Sequence, residues 1–310
     1  PSSAASDVYK RQAGGDADQA KGDGALDCKK STYVTFSYNH FWDSGKCNLL
    51  GLSENTTTGL YITYHHNWYD HSDSRHPRVR FYSAHIYNNY FDGNSKYGSG
   101  STEGSSLFVE GNVFRSCKYP MLTSMQGTDV NGGSVGTFSG EDGGTIKAFN
   151  NVMSGQTRFV AYDAVNFPRE FDAYVATTRN ELVSSTIKSK LGNNSYNNFD
   201  TNTSLYVNSL VIDEPLVGKE KTMLYSGRIS GGDISWTFNN ATDDTSYAVN
   251  TGLMQMLTSY TSSLVYVQSE TPVVVSSQTL TIPNNNDQTV AENTAITSMV
   301  FTLSLIHISE

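Results

Sequence analysis

Five stretches of the chain repeat one pattern of apolar and polar positions. They are VTFSYNHF (34–41), YITYHHNWY (61–69), AHIYNNYF (84–91), SLFVEGNVF (106–114) and TIKAFNNVM (145–153). Each is a short β-rich run with an asparagine followed by two mostly aromatic or apolar residues. The aligned asparagines, Asn39, Asn67, Asn89, Asn112 and Asn151, are spaced 28, 22, 23 and 39 residues apart. A period of about 22 residues with occasional insertions is the signature of a solenoid, in which no coil buries its inner face alone and coils stack into one core. Strand runs separated by turn residues, without helical periodicity, predict an all-β right-handed parallel β-helix over residues 13–200 rather than a leucine-rich horseshoe. Asparagine suits the corners because it tolerates left-handed backbone angles and bonds locally. Stacked coil on coil, these side chains are expected to form a hydrogen-bonded ladder. Insertions fall between strands, so the segments 92–105 and 125–144 are expected to project as loops from one side and wall a groove.

The pattern changes downstream. Residues 213–227 (DEPLVGKEKTMLYSG) predict a helix with Pro215 in the first turn and Gly227 just past the end. Residues 243–265 predict a second, capped by Asp243, with Val249, Leu253, Leu257, Tyr260 and Leu264 at helical spacing. These form a small helical C-terminal extension (201–271) whose apolar faces are expected to pack on the solenoid. Residues 272–302 read as a linker and the opening strands of a truncated β-sandwich, similar to the immunoglobulin-like modules appended to secreted bacterial enzymes. The tips, 1–12 and 303–310, carry SSAASDVYKRQ and LSLIHISE, which read as translated sequencing adapters and are set aside from fold reasoning. The natural segment is then about Ala13 to Thr302 of a longer reading frame.

Composition narrows the function. The net charge of −9 argues against a nucleic-acid partner, which requires a basic face. No apolar run reaches the ~20 residues of a membrane helix. The three cysteines, Cys28, Cys47 and Cys117, have no metal-site spacing. They read as isolated buried thiols, with a Cys28–Cys47 bridge left open.

Against this acidic background one cluster is cationic: RHPRVR (75–80), with three arginines around Pro77. A basic strand interrupted by proline is an edge or irregular element, which suits a functional kink. It follows HHNWY (65–69), KCNLLG (46–51) and DGALDCKK (23–30). The four blocks, in this order and at these distances, resemble the core of the pectate lyases, over roughly residues 20–165. The resemblance implies a secreted, calcium-dependent enzyme, expected to be a monomer, that cleaves polygalacturonate (de-esterified pectin) by β-elimination.

The resemblance also implies roles. Asp23 and Asp27 match calcium ligands, a further acid being expected upstream of this segment. Lys46 matches a lysine gripping a substrate carboxylate, Arg75 the proton abstractor, and Arg80 a second carboxylate-binding arginine. The residue types suit the chemistry: calcium takes hard oxygen donors, and Gly24 permits the tight corner needed to aim Asp23 and Asp27 at one site. An arginine base is demanding, since its pKa exceeds 12 and lowering it by about 5 units costs about 7 kcal/mol. Neighbouring cations push in that direction. Alternatives on the same fold are a pectin lyase, in whose family the calcium acids are replaced, a polygalacturonase, which needs a cluster of catalytic acids, and a non-catalytic pectin-binding β-helix. A zinc site from His65, His66, His71 and His76 is disfavoured because His65 and His66, adjacent in a strand, point to opposite faces. Gly132–Gly136 fits the Gly-x-Ser-x-Gly pattern but lacks the strand and helix that a nucleophile elbow requires. A fragment cut at its N-terminus, missing a calcium acid and a solenoid cap, is expected to be nearly inactive.

Overall fold

The computed structural model describes residues 21–51, 59–227 and 235–260. The pattern-bearing runs all become paired strands, distributed over three parallel sheets. The first holds β1 (Val34–Ser37), β4 (Tyr61–His65), β7 (Ser83–Tyr87), β10 (Ser106–Glu110), β13 (Thr145–Phe149) and β15 (Tyr174–Val175). The second holds β2 (His40–Trp42), β5 (Trp68–Asp70), β8 (Tyr90–Asp92), β11 (Val113–Arg115) and β14 (Val152–Ser154). The third holds β3 (Leu49–Leu50), β6 (Arg78–Arg80), β9 (Ser99–Thr102) and β12 (Met121–Thr123). Chain order runs through the sheets in turn, so each coil donates one strand to each: a right-handed parallel β-helix.

Alternation within strands sorts side chains between core and exterior. In the first sheet Ile62, Ala84, Leu107 and Ile146 share one rung level, and Tyr64, Ile86, Val109 and Ala148 another. All are buried. In the second, Phe41, Tyr69, Phe91 and Phe114 stack with ring centroids 5.1, 5.1 and 4.2 Å apart. Identical levels on successive coils thus carry similar side chains, which is why the sequence repeats.

The asparagine ladder is present along its whole length. Asn39 Nδ2 donates to Asn67 Oδ1 at 2.9 Å, Asn67 to Asn89 at 3.0 Å, Asn89 to Asn112 at 3.1 Å and Asn112 to Asn151 at 3.0 Å. The left-handed residue is not the ladder asparagine but the one before it. Tyr38, His66, Asn88, Gly111 and Asn150 have φ of 57°, 52°, 48°, 61° and 49°. That residue turns the chain between the first and second sheets, and the turn aims the following asparagine along the solenoid axis.

Other expectations need correction. The segment 92–105 is not a projecting loop: it contains β9, whose residues are all buried between neighbouring rungs. The segment 125–144 does leave the coil. Cys28, Cys47 and Cys117 are all free and buried, so there is no Cys28–Cys47 bridge; burial pushes the Cys47 thiol up to about 12. His66 lies in the left-handed corner rather than in a strand, and its Nδ1 sits 2.9 Å from that of His65.

The C-terminal helices are α1 (Tyr206–Ser209), α2 (Pro215–Tyr225), α3 (Asn240–Asp243) and α4 (Thr251–Ser259). The first predicted helix is α2, with Pro215 in its first turn. It packs through small residues, not an apolar stripe. A Cβ on Gly218 would meet Asn88 Nδ2 at 2.5 Å, and Thr222 Oγ1 donates to the Asn88 carbonyl at 3.0 Å. Meanwhile Leu216, Met223 and Leu224 stay exposed. The second predicted helix is split. Asp243 closes α3, which Asn239 caps, and the Asn250 side chain accepts from the Leu253 N–H at the start of α4. Leu253 is the buried residue of α4. Leu264 and the segment 272–302 lie outside the described residues. Among the described residues no helix is long and apolar enough to cross a membrane.

Candidate active site

The predicted site residues lie at the third sheet, on consecutive coils. Asp23 bridges to Lys46, and Lys46 to Ser74, in parallel register. One residue further, Arg75 reaches back toward Asp23. Its Nη1 is 3.5 Å from Asp23 Oδ1, and Lys46 Nζ is 4.0 Å from the same oxygen. The side chains of Lys46 and Arg75 are only 7% and 16% exposed, against 33% for Asp23. Two cations and one partly exposed carboxylate therefore lie together, loosely spaced.

The backbone places Arg75 at a cost. Its φ is +62°, in the left-handed region, which a non-glycine residue occupies at roughly 1–2 kcal/mol. Hydrogen bonds on both sides hold it there: Asn48 N–H donates to the Arg75 carbonyl at 2.8 Å, and His76 N–H to the Gly98 carbonyl at 2.9 Å. The His76–Pro77 bond is cis. His76 points into the core against Tyr69, with ring centroids 4.6 Å apart. Burial drives its pKa down to about 3, so the imidazole is neutral. Pro77 immediately precedes β6, which is paired on both sides.

The two acids flank the predicted tight corner. Gly24 has φ +71°, and a Cβ there would lie 2.8 Å from Asp27 Oδ2. The Asp27 carboxylate is folded beneath that corner, and its Oδ1 accepts the Leu49 N–H at 2.9 Å. Asp23 and Asp27 are the right donor type for a hard divalent cation, but two carboxylates supply a minority of the ~6–8 oxygens calcium takes. Among the described residues no group of three or more acidic, histidine or cysteine side chains forms a metal cluster. The histidines of the predicted quartet are dispersed: His71 pairs with Asp70 and Asp244, and His76 is in the core.

Arg80 stands apart from Arg75, on β6, and is held by Glu141 from the 125–144 loop. Arg80 Nε donates to both Glu141 carboxylate oxygens at 3.0 Å, and Nη2 to Oε1 at 2.5 Å. Arg78 Nη2 adds a bond to Glu141 Oε2 at 2.9 Å, and Thr102 Oγ1 one at 2.7 Å. Burial works against the charge on Glu141, but the hydrogen bonds from Arg80 and Thr102 and the charges of both arginines prevail and bring its pKa down to about 2. Sequence reasoning missed Arg78 and Glu141. Arg78 was legible, since Arg78 and Arg80 are two apart in a strand and share a face; Glu141 was not.

The right-handed parallel β-helix thus carries Lys46, Arg75, Arg78 and Arg80 at its third sheet, each paired with an acidic side chain. The chain belongs to the pectate lyase family, whose model, described as pectate lyase, matches residues 3–195. It is 39% identical over 102 residues to a pectate trisaccharide-lyase from Bacillus licheniformis, covering 33% of this chain and 30% of that protein. It is 30% identical over 165 residues to a pectate lyase from Bacillus subtilis, covering 43% and 39%. Among solved structures, pectate lyase II from Xanthomonas campestris is 24% identical, with a TM-score of 0.43, over 67% of this chain and 53% of that one. The chain thus spans well under two thirds of the length of the relatives it matches.

Proposed function

We propose that the chain carries the reaction face of a secreted, calcium-dependent pectate lyase that cleaves de-esterified polygalacturonate by β-elimination. The observation that carries this reading is the convergence of Arg75 and Lys46 on Asp23, with Arg75 fixed in a left-handed conformation at the mouth of β6. Lys46, a compact point charge on a nearly buried stem, binds the uronate carboxylate. Arg75 then faces the ring carbon bearing that carboxylate and takes its proton. The electrons of the broken C–H bond form a double bond to the adjacent ring carbon, and the glycosidic oxygen leaves with the pair of its C–O bond. Asp23 orients Arg75 before substrate arrives. Asp23 and Asp27 are the residues that would hold calcium, which when bound supplies the positive charge that acidifies the uronate ring proton.

The test is the ultraviolet absorbance of unsaturated uronate released from polygalacturonate, with calcium and with a chelator. Absorbance that grows with calcium and vanishes in chelator supports the reading. Full activity in chelator removes Asp23 and Asp27 from the role of metal ligands. Chain cleavage without absorbance identifies a hydrolase, and retention on polygalacturonate without cleavage a binding protein.

A further inference from the structure

The resemblance implies that Arg80 grips a substrate carboxylate, yet its fork is already closed on Glu141 through both Nε and Nη2. The contact is tighter than that of Asp23 with Arg75 and Lys46, at 3.5 and 4.0 Å. Glu141 is also fixed through its backbone. Its N–H donates to Ser139 Oγ at 3.0 Å and its carbonyl accepts from Ser124 Oγ at 2.7 Å. The next two residues are tied as well, Asp142 O to Glu103 N at 2.7 Å and Gly143 N to Leu191 O at 3.0 Å. The carboxylate is therefore a permanent part of the surface. Beside it lies Phe138, half-buried, with the Arg78 guanidinium 5.7 Å from its ring centroid and Tyr97 5.0 Å away. Two arginines over one carboxylate keep the cluster net positive, but an ionised uronate arriving here meets a fixed like charge and donors already engaged, and so gains less than at an open fork. A methyl ester meets an aromatic surface and no charge to satisfy.

We infer that Glu141 is a specificity-determining residue: by closing the Arg78–Arg80 fork beside Phe138, it lowers the preference of this position for an ionised galacturonate over a methyl-esterified, neutral one. The inference rests on the polygalacturonate reading above and deepens it. Its test reads binding rather than turnover. Calorimetry would compare fully ionised and methyl-esterified oligogalacturonates on the full chain carrying Arg75→Lys, alone and with Glu141→Gln or Glu141→Asp. The expected result is that Glu141→Gln shifts the preference about fivefold toward the ionised ligand, the equivalent of one partly exposed charge at ~1 kcal/mol, while Glu141→Asp keeps the parent preference. An unshifted preference in a Glu141→Gln protein that melts like its parent overturns the inference. Should Glu141→Gln not fold, Glu141→Ala, which removes the same charge, decides in its place: a shift toward the ionised ligand supports the inference and an unshifted preference overturns it. Absence of unsaturated product from the unsubstituted chain is a separate result, which removes the lyase reading while leaving this preference measurable.

Discussion

Replacing Asn89 by alanine tests whether the ladder is the structural spine of the solenoid. Asn89 is fully buried. Its Nδ2 donates to the Tyr64 carbonyl at 2.9 Å, the Tyr87 carbonyl at 3.1 Å and Asn112 Oδ1 at 3.1 Å. Its Oδ1 accepts from both Asn67 N–H and Asn67 Nδ2 at 3.0 Å. Alanine removes all of these and deprives buried groups on two neighbouring coils of partners. With two or three groups stranded at ~1–3 kcal/mol each, the loss is about 3–6 kcal/mol. Asn39, at the far end of the described ladder, is only half-buried. Water can replace its donations to Ser37 O and Asn67 Oδ1, so Asn39→Ala should cost about 1 kcal/mol. Urea unfolding of both variants, read as midpoint shifts at constant slope, measures the contrast. Equal losses, or a loss below about 1 kcal/mol for Asn89→Ala, would refute the reasoning.

Arg75→Lys should abolish unsaturated product while polygalacturonate binding persists, because lysine lacks the planar fork and the reach; a variant retaining more than about a tenth of the rate, under ~1.4 kcal/mol in barrier, contradicts the role. Lys46→Ala should weaken binding in a salt-sensitive way, and binding that is unchanged at low salt counts against the carboxylate grip. A third prediction concerns His71, which pairs with Asp70 at 2.7 Å and Asp244 at 3.0 Å. Burial disfavours its charge, but the Asp70 hydrogen bond and the charges of Asp70, Asp92 and Asp244 raise its pKa, with His40 and Arg115 on the same network. Its contribution is then complete below the unfolded imidazole value of about 6.5 and fades as pH rises through the folded value. The melting-point penalty of His71→Gln should therefore shrink with rising pH, and a penalty that grows would sink the assignment.

The parts of the fold that were legible in the sequence are those that repeat. A core level recurs once per coil, so Ile62, Ala84, Leu107 and Ile146 announce themselves together, and the asparagines fix the register. The corner geometry was misread because the left-handed position carries Tyr38, His66, Asn88, Gly111 and Asn150, residue types that share no composition signal. Asp23, Lys46 and Arg75 were singled out through the resemblance of their motifs, and each lies about one coil from the next. Glu141 was not, because it reaches Arg80 across 61 residues from a glycine-rich loop with no period to align. The break between α3 and α4 was hidden for a different reason: Val249 and Leu253 fit a continuous helical spacing, but the Asn250 side chain caps a new start.

The ladder has a consequence for how such a protein can change. Register is set at one edge of five coils, by asparagines that bond to one another and to backbone carbonyls of their own and the preceding coil, while the 39-residue step from Asn112 to Asn151 preserves a 3.0 Å bond between them. Extra residues in that step, among them Glu141, are therefore invisible to the spine. Loop length and loop chemistry on the groove side can drift, lengthen or be exchanged without any strand losing its partner. Loop chemistry and structural integrity are thereby inherited separately, and a lineage can rewrite the loops while copying the spine unchanged.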